Sequence, residues 1–328
     1  MRVRRSVTQV NDHRWLTWHA AMTEALYGPG GFYLTSGTPG RNFRTAAHTS
    51  QLWAAAIHDL ARRVDSSLGH PESFTVVDVG AGGGELVIAL AALAPPRWTL
   101  CGVDIAPRPD ALPARVTWSA EPPEAIQGLL IATELLDVVP VDVVERTEDW
   151  PRQIEVTSAG EEELGALVTG RDAEWLATWW PLAEIGYRAE IGWPRDDLWR
   201  SLAARVSDGV AVAVDYGAVP ARDVAGTLTG YRNGRQVDPV PDGSCDLTAH
   251  VLFESLATAG DVVISQREAL QSLGISGQRP PYEGAQAAYL AALSAAGDAA
   301  ELLDPAGLGG FTWLVHANRA PNPFGDLA

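Results

Sequence analysis

The chain contains no lysine: all 24 basic side chains in its 328 residues are arginine, a bias of codon composition that carries no function by itself. Against them stand 41 aspartates and glutamates, for a formal net charge of −17 and a pI near 4.7. So little positive charge excludes duplex DNA or RNA as a partner, because binding there relies on Arg and Lys contacts to phosphates. An acidic surface suits a cationic partner and also serves solubility. Cysteine is nearly absent too. Cys101 and Cys245 have neither metal-ligand spacing nor the makings of a disulfide framework, and Cys101 is expected to be a small buried apolar residue. No apolar run approaches the length of a membrane-spanning helix, so no membrane insertion is expected. The basic opening Met1-Arg2-Val3-Arg4-Arg5 leads into polar residues rather than an apolar stretch, unlike a secretory leader. A reducing, cytoplasmic setting is the resulting expectation. With 46% hydrophobic and 20% charged residues, the chain has the composition of a globular protein with a large core.

The most informative stretch is Asp78-Val79-Gly80-Ala81-Gly82-Gly83-Gly84, directly after the apolar run Phe74-Thr75-Val76-Val77 and before Glu85 to Leu93, whose apolar residues have helical spacing. Gly80, Gly82 and Gly84 allow a sharp turn at a strand end and a close approach of backbone to a ligand. A dinucleotide fingerprint would read G-x-G-x-x-G, resting pyrophosphate on the helix N-terminus. Here Glu85 stands where its last glycine would fall, and its carboxylate would repel pyrophosphate. Beside a cationic sulfonium that carboxylate costs much less, so the loop points to S-adenosylmethionine, with Asp78, Gly80, Ala81, Gly82 and Gly84 as donor-site residues. Asp78 is placed to meet the donor's amino-acid portion, directly or through water. Trp98 to Val103 reads as the next strand and ends at Asp104, a position that holds ribose hydroxyls in doubly wound sheets. The dinucleotide site, a ligand-free turn and, for Asp104, plain turn chemistry remain alternatives at this point.

Alternating strands and helices from Phe74 onward predict an α/β fold with a doubly wound, mostly parallel, Rossmann-like sheet. The expected organisation is an N-terminal helical cover over 1–70, a core over 71–144 and 208–320, an insertion over 145–207, and a tail over 321–328. Within the cover, Val10 to Tyr27 reads as a helix, Gly28-Pro29-Gly30-Gly31 as a turn, and Phe32-Tyr33 as part of a polar loop. Thr45 is placed to cap a helix through Val64. Further along, strands are expected over Gly128–Ala132, Val141–Val144, Ile154–Val156, Val210–Val214, Val262–Ser265 and Phe311–His316. Gly226 to Asp246 reads as a long polar stretch leading to a helix over Leu247–Ala259, and Ala285 to Ala296 as another helix.

Acidic residues recur at predicted strand ends: Asp78, Asp104, Glu134 with Asp137, and Asp215. Ligands bind at that edge of an open α/β sheet, so these groups are expected to converge. Glu134 and Asp137 flank Leu135-Leu136 before Pro140 and can face a single target; the bland reading is a capped, solvated loop. Methyl transfer from a sulfonium is an in-line displacement with an excellent leaving group, so the protein's main task is positioning. A guanidinium stays charged and presents its donors in a fork that two carboxylates can hold. An arginine acceptor therefore explains the carboxylates better than a hydroxyl or carboxylate acceptor. His250 and His48 each stand near a predicted helix start, where capping is the plain reading.

Ala25-Leu26-Tyr27-Gly28-Pro29-Gly30-Gly31-Phe32-Tyr33, Phe43-Arg44-Thr45, the glycine loop, Glu134-Leu135-Leu136-Asp137-Val138-Val139-Pro140, Asp215-Tyr216-Gly217, Gly226-Thr227-Leu228, Gly230-Tyr231-Arg232 and Asp246-Leu247-Thr248-Ala249-His250 follow in this order. The series resembles the MidA-like family of class I S-adenosylmethionine-dependent methyltransferases, whose mitochondrial relatives are complex I assembly factors that methylate a protein arginine. The resemblance implies an acceptor side built from Glu134, Asp137, Asp215, Tyr216, Asp246 and His250, and a protein partner presenting an arginine. The sequence departs from the family at Asn42, where an aspartate is usual, and at Asn233-Gly234-Arg235, where a histidine is usual, which touches the identity of the acceptor. Two other classes of function share these features: a non-catalytic assembly protein that keeps the fold, with Trp175, Trp179, Trp180, Trp193 and Trp199 as a docking surface, and a small-molecule methyltransferase.

Overall fold

The computed structural model describes residues 14–35, 51–217, 225–279, 281 and 286–327. Asn42, the Phe43-Arg44-Thr45 segment with its helix cap, and His48 lie outside the described residues.

A seven-stranded sheet forms the centre, in the order Val262–Ser265, Thr312–Asn318, Val206–Asp215, Ile126–Thr133, Phe74–Val79, Trp98–Val103, Val116–Ser119. The last five are mutually parallel, and Thr312–Asn318 runs antiparallel to both of its neighbours. Strands covered on both faces need no polar alternation, and Val210 to Val214 are accordingly all buried. One face packs against the helices Gln51–Ser67, Glu85–Leu93 and Gln266–Ser272 and the end of Gln286–Leu302. The other packs against Trp193–Ala203 and Phe253–Leu256. Parallel register brings Val79 level with Val103 and Ala132, and Thr133 level with Val214. The carboxyl ends that carry the acidic residues therefore share one edge.

Beside this core stands a second, five-stranded sheet. Pro151–Val156 pairs antiparallel with Leu16–Thr17, Val143–Arg146 and Glu162–Leu167, and Val143–Arg146 pairs with Arg188–Glu190. The N-terminal segment divides between two cores. Trp18, Met22, Leu26 and Phe32 pack with Val143, Ile154, Leu247 and Ala249, whereas Gln51–Ser67 covers the central sheet.

Several local expectations are corrected. Within the described residues the first helix starts at Trp18, capped by the Thr17 side chain, which accepts from the Ala20 amide at 3.4 Å. Its continuation, Thr23–Tyr27, is a π-helix, and Phe32–Thr35 is a short helix rather than loop. Thr229–Arg232 pairs antiparallel with Arg235–Val237 and Asp246–Thr248, a small sheet where a polar stretch was expected. The helix expected over Leu247–Ala259 is confined to Phe253–Leu256. Asp246 to Ala249 are all buried, and strand pairing with Thr229–Arg232 overrides the helical preference of Leu and Ala. Helix Gln266–Ser272 was not anticipated, although Ser265 and Glu268 form a capping box, which has a legible sequence form.

Candidate active site

A cavity of about 710 Å³ opens at the carboxyl edge of the parallel strands, within the size range of ligand sites. The glycine loop forms one wall. Gly80, Gly82 and Gly84 have φ of 75°, 55° and 79°, the left-handed region that favours glycine. The Gly80 and Ala81 amides donate to the Val103 carbonyl at 2.9 and 3.1 Å, and the Gly82 amide donates to Asp104 Oδ2 at 2.8 Å. Asp104 Oδ1 accepts from the Ala106 amide at 2.8 Å. The Asp104 carboxylate thus ties together the loops after two neighbouring strands, and each oxygen keeps lone-pair capacity for a ligand hydroxyl. Burial raises its pKa against the lowering by these amides.

Gly80, Ala81, Gly82, Gly83, Glu85 and Asp104 line the cavity; Asp78 and Gly84 do not. A Cβ on Gly84 would stand 2.8 Å from Leu112 Cδ1, so this glycine serves the turn and its packing rather than ligand clearance. Asp78 is 5% exposed, and burial, reinforced by Asp104 and Glu85, pushes its pKa up to about 7. The lining fits a sulfonium nucleoside: bare backbone for close approach, Asp104 beside it and Glu85 at the entrance, where pyrophosphate would meet only negative charge.

The remaining wall is acidic and aromatic, with Glu134, Asp137 and Asp246 beside Tyr27, Tyr33, Tyr216 and Tyr231. Strand Ile126–Thr133 leads into Glu134, a non-glycine residue at φ 52° whose amide donates to the Val214 carbonyl at 2.9 Å. Asp215 lies behind this turn. Its Oδ2 accepts from the Leu136 and Asp137 amides at 2.9 and 3.0 Å, and its Oδ1 from the Tyr216 amide at 2.9 Å. Asp215, expected on the acceptor side, is therefore a buried brace that aims Glu134 and Asp137 without lining the cavity. His250 is corrected as well. It is exposed, its ring is stacked 6.0 Å from Tyr216, and it does not reach the cavity wall. Since Asp246–Thr248 is a strand, helix capping does not explain the segment either.

Asp137 is 4% exposed, and its Oδ1 has no hydrogen-bond partner among the described residues. Burial first, then the charges of Asp215, Glu134 and Asp246, holds its carboxyl well above the usual range. Asp246 accepts from the Tyr33 hydroxyl at 2.8 Å and is pushed up to about 6 by burial. Tyr27 stacks on Tyr33 at 5.5 Å and donates to the Val138 carbonyl at 2.9 Å. The hydroxyl of Thr133 is a further buried group without a partner among the described residues. Tyr27, Tyr33, Tyr231, Thr133 and Thr248 all line the cavity without having been singled out as site residues. Four of these five, all but Thr133, belong to the ordered series of motifs that carried the family resemblance, and Gly28-Pro29-Gly30-Gly31 between the first two was the available signal.

Parallel strands that end in a glycine loop, with the antiparallel strand Thr312–Asn318 inserted between Val262–Ser265 and Val206–Asp215, define a class I S-adenosylmethionine-dependent methyltransferase. Residues 93–269 match the model of an S-adenosyl-L-methionine-dependent methyltransferase family. Among solved structures, the chain is similar to a COG1565 superfamily member from Burkholderia thailandensis bound to S-adenosylhomocysteine, with TM-score 0.81 and 25% identity over 95% of this chain and 90% of that one. The native form of a COG1565 protein from the same organism has the same fold, with TM-score 0.75 and 24% identity over 94% of this chain and 88% of that one. No curated protein matches at a significant level. The chain belongs to the MidA-like family of S-adenosylmethionine-dependent methyltransferases. Among the described residues, no helix is long and apolar enough to cross a membrane.

S-Adenosylmethionine supplies an electrophilic methyl on a positively charged sulfur. The chain's own contribution is to hold a nucleophile in line with it, with Asp104 and the glycine loop on one wall and the Glu134–Asp137 turn on the other.

Proposed function

We propose that the acceptor is an arginine guanidinium presented by a protein. The observation that carries this reading is Asp137 Oδ1, buried without a partner among the described residues in a wall it shares with Glu134 and Asp246. A buried acceptor without a donor is costly, and a donor-rich cation relieves the cost. A planar guanidinium supplies its donors in a fixed fork and stays charged, and the faces of Tyr27, Tyr33, Tyr216 and Tyr231 favour a cation further. An anionic acceptor would meet three carboxylates. As the nitrogen attacks, a carboxylate of Glu134 or Asp137 localises positive charge on the other nitrogens. After transfer the added positive charge is relieved by loss of a proton to that carboxylate, and the raised pKa of Asp137 suits it to this role.

The test is incubation with isotope-labelled donor and a lysate of the source cells, followed by mass spectrometry. Label is expected on protein arginines, and Asp137→Asn is expected to lower it by about 100-fold or more while S-adenosylhomocysteine affinity by calorimetry stays within about twofold. Label found solely in small molecules overturns the protein-arginine acceptor.

A further inference from the structure

Arg195 is the second residue after Gly192-Trp193 in the helix Trp193–Ala203, where Pro194 sets the first turn. It is 2% exposed. Its Nη1 donates to the His250 carbonyl at 2.7 Å and its Nη2 to the Asp137 carbonyl at 3.1 Å. The Asp137 carbonyl also accepts from the Ala249 amide at 3.0 Å. One guanidinium therefore joins the loop that carries Glu134 and Asp137 to the segment that carries Asp246.

The chemistry of the contact is unusual for a buried arginine. Both hydrogen-bond acceptors are neutral main-chain carbonyls, and Nε has no partner among the described residues. The carboxylates facing it act through space: Glu190 from strand Arg188–Glu190, Asp137 from the loop, Asp215 from the end of its strand, and Asp196 from its own helix. Two of these are already engaged elsewhere. Glu190 accepts from the Thr227 and Leu228 amides at 2.6 and 3.0 Å, and Asp196 accepts from Trp175 Nε1 and the Ser255 hydroxyl at 2.8 and 2.7 Å. Asp215 is committed to backbone amides, as described above. Of the four, Asp137 is the one with an oxygen lacking a partner among the described residues. A cation desolvated at this depth is retained at considerable cost, and its field reaches the carboxylate wall with little screening.

We propose that Arg195 is a positioning residue of the acceptor end: it ties the Glu134–Asp137 turn to the Asp246–His250 segment, and its buried positive charge offsets part of the burial and like-charge repulsion that disfavour an ionised Asp137. It touches neither donor nor acceptor. The acidic pocket wall is thus backed by a cation held one layer behind it, whichever cationic acceptor the enzyme takes.

The test is carbon NMR of the full-length protein labelled at aspartate carboxyls, with the Asp137 signal assigned by its loss in Asp137→Asn. Arg195→Gln keeps a donor for a carbonyl and removes the charge; Arg195→Lys keeps the charge and loses the fork. The Asp137 titration midpoint is expected to rise by about one pH unit or more in Arg195→Gln and to stay within about 0.3 unit in Arg195→Lys. The Asp78 midpoint is expected to stay put in both. An unmoved Asp137 midpoint in folded Arg195→Gln overturns the proposal, as does a shift in Arg195→Lys as large as that in Arg195→Gln. Should the variants not fold, the Nε–H resonance of Arg195 in the wild-type protein decides. A shift that follows the Asp137 titration supports the proposal, and a resonance unchanged across it overturns it. None of these measurements uses an acceptor, so failure of the arginine reading leaves them intact.

Discussion

Asp78 shows how a single carboxyl can hold two meanings. Its place at a strand end read as a donor contact, but the structure buries it beneath the loop with its pKa pushed up to about 7, away from the cavity wall. The consequence is a pH dependence of stability. Below the ordinary aspartate value of 3.8 the group is protonated folded and unfolded, and its contribution is fully present. As pH rises toward 7 the unfolded chain ionises first, so the folded state binds more protons and loses about 1.4 kcal/mol per pH unit. Asp78→Asn removes that loss. In urea unfolding without ligand, the variant's stability relative to wild type is expected to improve by about 2–4 kcal/mol between pH 4 and pH 8. The comparison with the variant isolates this group from carboxyls such as Asp197 and Glu268, whose lowered pKa values act in the opposite direction. A relative stability that does not change with pH would show that Asp78 titrates normally.

At the scale of elements, the glycine loop separates into two functions that its spacing could not distinguish. Gly82 lines the cavity and hands its amide to Asp104, so Gly82→Val is expected to weaken S-adenosylhomocysteine binding by at least about tenfold, measured by calorimetry. Gly84 faces Leu112 and Trp118. Gly84→Ala is expected to cost about 1–3 kcal/mol of stability with donor affinity nearly retained, and adding Leu112→Ala should recover the contact strain but not the backbone strain. Equal losses of affinity at both glycines would contradict this division. The central strands and helix Glu85–Leu93 were legible because local apolar pattern and tertiary burial agree. Leu247 to Ala259 was not, because Leu and Ala favour helix while pairing with the distant strand Thr229–Arg232 draws its start into a sheet.

For the whole molecule, the excess of acidic groups has a kinetic expression. A formal charge of −17 would attract the cationic acceptor proposed above over a distance set by the Debye length, about 10 Å at 0.1 M salt and about 6 Å at 0.3 M. With a basic protein acceptor, kcat/KM is expected to fall several-fold between about 0.05 and 0.3 M salt, while donor affinity changes little. A rate constant insensitive to salt would mean that steering plays no part. At this scale the second sheet matters as well. It takes a strand from Leu16–Thr17 and four from the stretch between Val143 and Glu190, so Tyr27 and Tyr33 reach the cavity from a segment packed against the insertion.

The donor half of the enzyme is written in contiguous residues: an apolar run, three spaced glycines, and a carboxylate one strand later suffice, because turn geometry and backbone approach are local requirements. The opposite, acidic and aromatic wall of the cavity depends on distance across the chain. Asp215 reaches back 78 residues to brace the Asp137 amide, Arg195 crosses 58 to its carbonyl, and Tyr33 meets Asp246 across 213. Which carboxylates face the cavity and which stand behind it followed from those long contacts, since burial and partner choice belong to the packed molecule and leave no period or motif in the chain.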